Sequence, residues 1–141
     1  MRAALDEALL GLKEGGIPIG SVLVRDGKII GRGHNRRVQN DDPTAHAEIE
    51  CLRHVGRIGS YKGSVLYSTL MPCALCAGAA VQLKVPKVVA GENRTFKSSD
   101  TFMRMNGIEV IDLDLAECHQ MMKRFIEENP ILWNEDIGEL D

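Results

Sequence analysis

An α/β fold, with a central sheet covered by helices on both faces, is the architecture this sequence predicts, and three observations predict it. Segments with helical spacing of apolar residues alternate with short β-rich runs, in the order α-β-β-α-β-α-β-β-α. The 141 residues suit one domain around one core, so residues 1–141 are read as a single unit with no linker, repeat or low-complexity tract. The hydrophobic fraction of 44% and charged fraction of 26% are those of a folded chain, not a disordered one.

Residues 2–13 place Ala4, Leu5, Ala8, Leu9 and Leu12 three to four apart, which predicts an amphipathic helix ended by Gly15 and Gly16. Residues 19–24 (IGSVLV) and 28–33 read as two strands joined by Asp26-Gly27, a hairpin turn signal. Residues 36–43 are a polar loop closed by Pro43. The next helix is expected from Thr44, as N-cap, to about Val55, with Ile49, Leu52 and Val55 on its buried face. Residues 64–69 form a third strand. Pro72 suits the first position of a helix that runs through CALCAGAAVQL. Residues 87–90 are a fourth strand, 91–107 an irregular polar loop, and 108–112 a last strand. Asp114 and Glu117 have the spacing of a capping box for a helix with Leu115, Cys118, Met122, Phe125 and Ile126 on its apolar face. Pro130 ends that helix and the remaining residues read as a tail.

Charge and cysteine use exclude several classes. A formal net charge of -3 argues against a strong, sequence-independent hold on nucleic acid, which needs a basic face; Arg36 and Arg37 are offset by Asp41 and Asp42. Residues 1–14 carry four charged side chains after Arg2 and form no apolar signal core, and no run is long enough to cross a membrane; a cytoplasmic location is the expectation. Of the four cysteines, Cys51 and Cys118 are expected to be buried thiols, whereas Cys73 and Cys76 have metal or redox spacing.

Two short motifs, each opening a predicted helix, carry the chemistry. One is Thr44-Ala45-His46-Ala47-Glu48 and the other Pro72-Cys73-Ala74-Leu75-Cys76. Cysteines three apart share one face of a helical turn, and a helix N-terminus favours the thiolate that zinc binds. C-x-x-C alone is also a redox motif, but no thioredoxin-like aromatic precedes Cys73. His46 supplies a third donor. Three protein ligands leave one position for water, the catalytic arrangement, while a structural zinc has four. Cys51 and His54 lie about 140° and 80° around the helix from His46, so neither is favoured as a fourth ligand; a closed structural site using Cys51 is the alternative. Glu48 is the proton carrier of this scheme: it takes the proton of a zinc-activated water, gives it to a ring nitrogen, and passes the second to the departing amine. Because residues i and i+2 diverge on a regular helix, His46 and Glu48 can share a pocket only from its first turn.

H-x-E with P-C-x-x-C is the signature of zinc-dependent nucleobase deaminases. From Gly11 to Glu139 the chain also resembles the fungal-type cytosine deaminases, in Lys13–Gly20 (KEGGIPIG), Gly31–Asn35 (GRGHN), Gly91-Glu92-Asn93, Phe96-Lys97-Ser98 and the tail from Trp133 to Glu139. The resemblance implies a three-layer α/β/α sandwich on a five-stranded mixed sheet, one Zn2+ per subunit, a homodimer, and deamination of a free base, cytosine, in pyrimidine salvage. It assigns Asn35 and the Ala47 backbone to the pyrimidine edge, Phe96 and Trp133 to the ring, Asp136 to the exocyclic amine and Ile137 to the lid. Asn offers both a donor and an acceptor, and aromatic rings suit a flat heterocycle. Two departures bear on the choice of base: Met71 stands where those enzymes have a small polar residue and should adjoin the metal pocket, and Ala47 stands where they have glycine. Deamination of guanine, isocytosine or a triazine, a tRNA adenosine deaminase, and a non-catalytic zinc fold are the other readings.

Overall fold

The computed structural model describes residues 1–140. Its twelve elements are α1 (Arg2–Lys13), β1 (Gly20–Arg25), β2 (Lys28–His34), α2 (Arg37–Asn40), α3 (Ala47–Val55), β3 (Ser64–Ser68), α4 (Ala74–Gln82), β4 (Lys87–Ala90), α5 (Asp100–Met105), β5 (Glu109–Asp112), α6 (Ala116–Glu128) and α7 (Pro130–Asp136). The five strands form one sheet in the order β2-β1-β3-β4-β5. β1 is antiparallel to β2 and β3, while β3, β4 and β5 run parallel, so the sheet is mixed as expected. At the β1–β2 turn Asp26 (φ 52°) and Gly27 (φ 73°) are both left-handed, the geometry a two-residue hairpin demands.

Side chains alternate across each strand, and that alternation builds the layers. On β2, Gly31 and Gly33 face α3: a Cβ on Gly33 would lie 2.5 Å from the Cys51 backbone nitrogen. Arg32 and His34 face α1 on the other side, where Glu7 takes Arg32 Nε at 2.6 Å and His34 Nδ1 at 2.7 Å. His34 Nε2 lies 2.7 Å from Glu14 Oε1, so both ring nitrogens hold α1 to the sheet. Gly20 is the matching contact on β1, where a Cβ would come within 1.9 Å of the Ala4 carbonyl oxygen. The larger core joins Leu23, Leu66, Val88 and Val110 of the sheet to Cys51, Ala77, Ala80 and Met103 of α3, α4 and α5. A second core gathers Ile17, Ile19, Ala47, Leu70, Met122, Phe125 and Trp133, and so packs α6 and α7 beside the start of α3.

Several local expectations are corrected. Thr44 is not the N-cap of α3: its amide and hydroxyl both bond Asp42 Oδ1 at 2.8 Å, an Asx turn that delays the helix, and His46 is the cap. Pro72 precedes the cap of α4, which is Cys73. Asp114 and Glu117 form no capping box, because each is engaged elsewhere: Asp114, left-handed at φ 49°, pairs with Arg94, and Glu117 pairs with Arg2. Leu115 caps α6 without a side-chain bond. The polar stretches 36–43 and 91–107 contain the short helices α2 and α5. α6 does stop at Glu128, but Pro130 then opens α7 instead of a tail; its fixed φ and missing N–H cost nothing in a first turn.

Candidate active site

Two helix N-termini converge on one cavity, and the capping residue of each is a candidate metal ligand. His46 caps α3 and Cys73 caps α4, both in extended conformation and neither spending its side chain on its own helix. Cys76 follows one turn into α4 and is fully buried. The donor atoms of His46, Cys73 and Cys76 all lie within 4.8 Å of one another, the only such His/Cys/Asp/Glu group among the described residues. Cys73 Sγ stands 3.4 Å from His46 Nδ1, close to the separation of about 3.5 Å expected for sulfur and nitrogen ligands on one tetrahedral zinc. Neither Cys51 nor His54 joins the group; His54 Nδ1 instead meets the Arg32 backbone at 3.1 Å.

The electrostatics suit a cation. A hydrogen bond from the Cys76 thiol, reinforced by His46 against the cost of burial, lowers Cys73 to about 4, so it is a thiolate at neutral pH. Cys76 is held well above the ordinary thiol value by Cys73 and by burial. Burial opposes charge on His46, but Asp136 and Cys73 overcome it and raise the imidazole to about 10. A divalent ion would take the place of these protons. His46 Nε2 is 3.1 Å from Asp136 Oδ1, an ion-pair contact on the side of the ring away from Nδ1, which faces Cys73 Sγ.

Glu48, the second residue of α3, is buried. It satisfies the first-turn condition: with His46 at the cap, both side chains line the same cavity. The Ser68 hydroxyl donates to Glu48 Oε1 at 2.7 Å from the end of β3. Burial raises the Glu48 pKa above the ordinary 4.5, while the Ser68 bond pulls it back. Burial beside the three candidate ligands sets this carboxylate apart from a solvated surface charge.

The cavity encloses about 340 Å3 and is the size of a small heterocycle with its waters. Asn35, Ala47, Met71, Phe96, Trp133, Asp136 and Ile137 all line it, so every residue expected to touch a substrate is brought together. Phe96 and Trp133 meet edge to face, ring centroids 6.1 Å apart and planes at 85°, and form an aromatic wall. Trp133 belongs to the second core as well as to the wall. Asn35 is buried, and its Oδ1 accepts the Arg37 amide at 3.0 Å, which leaves Nδ2 without a protein partner. That assignment of the amide is fixed by its donor neighbour, so Asn35 offers the cavity an N–H donor.

Three residues with no role in the sequence reading position the others. Ser68 shares the inward face of β3 with Leu66 and holds Glu48. Glu92, fully buried, accepts the amides of Arg94 and Thr95 at 2.6 and 2.9 Å and so shapes the loop that presents Phe96. Arg37, on the unexpected α2, reaches Asp136. Strand alternation could have found Ser68; Glu92 and Arg37 act through loop geometry that periodicity does not carry.

The chain belongs to the cytidine and deoxycytidylate deaminase family: residues 1–92 match its zinc-binding region. It is a zinc-dependent hydrolytic deaminase of the α/β/α class. Along nearly its whole length it is 42% identical to a cytosine deaminase of Candida albicans, covering 99% of this chain and 95% of that one. It is 33% identical to a tRNA-specific adenosine deaminase of Streptococcus pyogenes serotype M18, over 91% of this chain and 88% of the relative. A solved structure of guanine deaminase from Bacillus subtilis superposes with a TM-score of 0.60 at 26% identity, covering 89% of this chain and 90% of that one.

Proposed function

We propose that this chain deaminates a free nucleobase, cytosine, to uracil and ammonia, with zinc held by His46, Cys73 and Cys76 and protons moved by Glu48. The single observation that carries the choice of a free base is the cavity: it is small and lined by Phe96 and by Trp133, Asp136 and Ile137 of α7, where a nucleic-acid strand would need an extended groove. The likeness to the Candida albicans cytosine deaminase supports the same choice.

When bound, zinc supplies an acidified water and a Lewis acid. Glu48 would take one proton from the attacking water and deliver it to the ring nitrogen beside the C–NH2 carbon, then take the second from the hydroxyl now on that carbon and pass it to the amine, which leaves as ammonia as the carbonyl forms. Ser68 keeps the carboxylate aimed during both transfers. Asn35 Nδ2 donates to an acceptor on the base edge, and the amide of Ala47, at the open first turn of α3, offers a second donor. Asp136 accepts from the exocyclic amine while it orients His46. Met71, buried in the wall, is the lining residue on which the choice between cytosine and another aminated base turns.

Among the described residues, no helix is long and apolar enough to cross a membrane. Cysteines left unpaired suit a reducing, cytoplasmic compartment, and release of uracil from a free base suits a place in pyrimidine salvage. A homodimer is the proposed assembly: Leu75 of α4 and Phe102 and Met105 of α5 expose apolar side chains on adjacent helices, with Met105 81% exposed. Phe102→Glu would then yield a monomer in sedimentation. Ammonia release measured with cytosine, guanine, isocytosine, an aminotriazine and tRNA tests the substrate; cytosine is expected to lead the panel, and a higher kcat/KM on any other member overturns that choice.

A further inference from the structure

We propose that Arg37 is a positioning residue that latches the α7 lid and aligns it with the base-reading Asn35. The proposal rests on the active-site reading above. Arg37 is largely withdrawn from solvent, at 10% exposure, although it lies on a single-turn helix at the surface. Its backbone amide holds Asn35 Oδ1 at 3.0 Å and thereby fixes which face of that amide meets the cavity. Its guanidinium Nε lies 3.1 Å from Asp136 Oδ1 and donates to the Pro43 carbonyl at 3.2 Å, while Nη1 is 3.7 Å from Glu135 Oε2. One residue thus ties the Asn35 side to the carboxylates of α7, and through Asp136 it reaches the back of His46.

The pair is close without being aligned. Asp136 Oδ1 and Arg37 Nη1 are both buried and neither completes a hydrogen bond. A planar guanidinium fork is suited to two-point capture of a carboxylate, and the misalignment leaves room for the contact to tighten as α7 settles over a bound base. A lysine ammonium carries one point of charge and could not address Asp136 and Glu135 from separate nitrogens as Nε and Nη1 do.

Trp133, the sole tryptophan of the chain, sits on α7 and reports on the lid without reference to turnover. In the zinc-loaded protein, Arg37→Gln is expected to raise acrylamide quenching of Trp133 at unchanged far-UV circular dichroism. It should lower kcat/KM for cytosine by about 10- to 100-fold, the usual effect of losing a residue that orients a metal ligand. In an Asp136→Asn background the same substitution should cost little more, because its effect passes through Asp136. Should Arg37→Gln unfold, Arg37→Lys carries the same readouts. Unchanged Trp133 quenching, or losses that multiply in the double variant, would overturn the latch. Wild-type inactivity on cytosine would instead sink the substrate assignment and leave the quenching test standing.

Discussion

Ser68 shows how one hydroxyl tunes the chemistry of this site. It donates to a buried carboxylate, Glu48, and a hydrogen bond to the charged form lowers a pKa that burial has raised. Removing it leaves an acceptor unsatisfied, which costs about 1–3 kcal/mol. Ser68→Ala is therefore expected to raise the Glu48 pKa further. Since the carboxylate must be ionised to accept a proton, the acid limb of kcat/KM moves to higher pH, and activity near that limb falls. A pH–rate profile of the variant that superposes on the wild type would contradict this role. The grouping of His46, Cys73 and Cys76, with Glu48 in the same cavity, was legible from sequence because two short motifs each open a helix. Arg37 and Glu92 were not, because each acts through a turn whose geometry leaves no periodic trace.

At the scale of elements, the helix N-termini and the glycines decide whether the site exists. α3 and α4 bring their caps together only because α3 lies directly on β2, and Gly31 and Gly33 make that approach possible. Gly33→Ala forces a Cβ to 2.5 Å from the Cys51 nitrogen and 2.8 Å from Glu50 Cβ. Overpacking of this kind costs about 1–3 kcal/mol, so the urea midpoint should fall, and zinc affinity with it because α3 carries His46. A variant with wild-type midpoint and zinc content would show that α3 does not depend on this contact. All five strands were legible to within a residue or two, since short apolar runs bounded by glycine and proline mark them well. The helix starts were not: Thr44 and Asp114 look like caps and Pro72 like a first helical residue in one dimension, yet Asp42 captures Thr44 in a local turn, Arg94 captures Asp114 across the fold, and Pro72 falls one residue before the cap. α7 was hidden because Pro130 both stops one helix and starts the next.

For the molecule as a whole, the Glu7–Arg32–His34–Glu14 network clamps α1 to the sheet and makes stability depend on pH. Burial tends to raise Glu7, but hydrogen bonds from His34 and Arg32 prevail and hold it below its ordinary 4.5. A carboxylate depressed in the folded state stabilises the fold above its unfolded pKa, and that contribution is lost as pH falls from about 4.5 through the folded value. Glu7→Gln should lower stability at neutral pH and flatten the acid limb of a denaturation curve taken against pH; an unchanged limb would mean that the clamp carries no linkage. The proposed chemistry depends above all on a division of labour between three ligands and one proton carrier. The most direct measurement is zinc content together with ammonia release from cytosine, in the wild type, Glu48→Gln and Cys76→Ala. The wild type should hold zinc and turn over; Glu48→Gln should hold zinc as well and lose about 10²- to 10⁴-fold in kcat; Cys76→Ala should lose both. Full turnover in Glu48→Gln, or zinc retained at wild-type affinity without Cys76, would contradict the central claim.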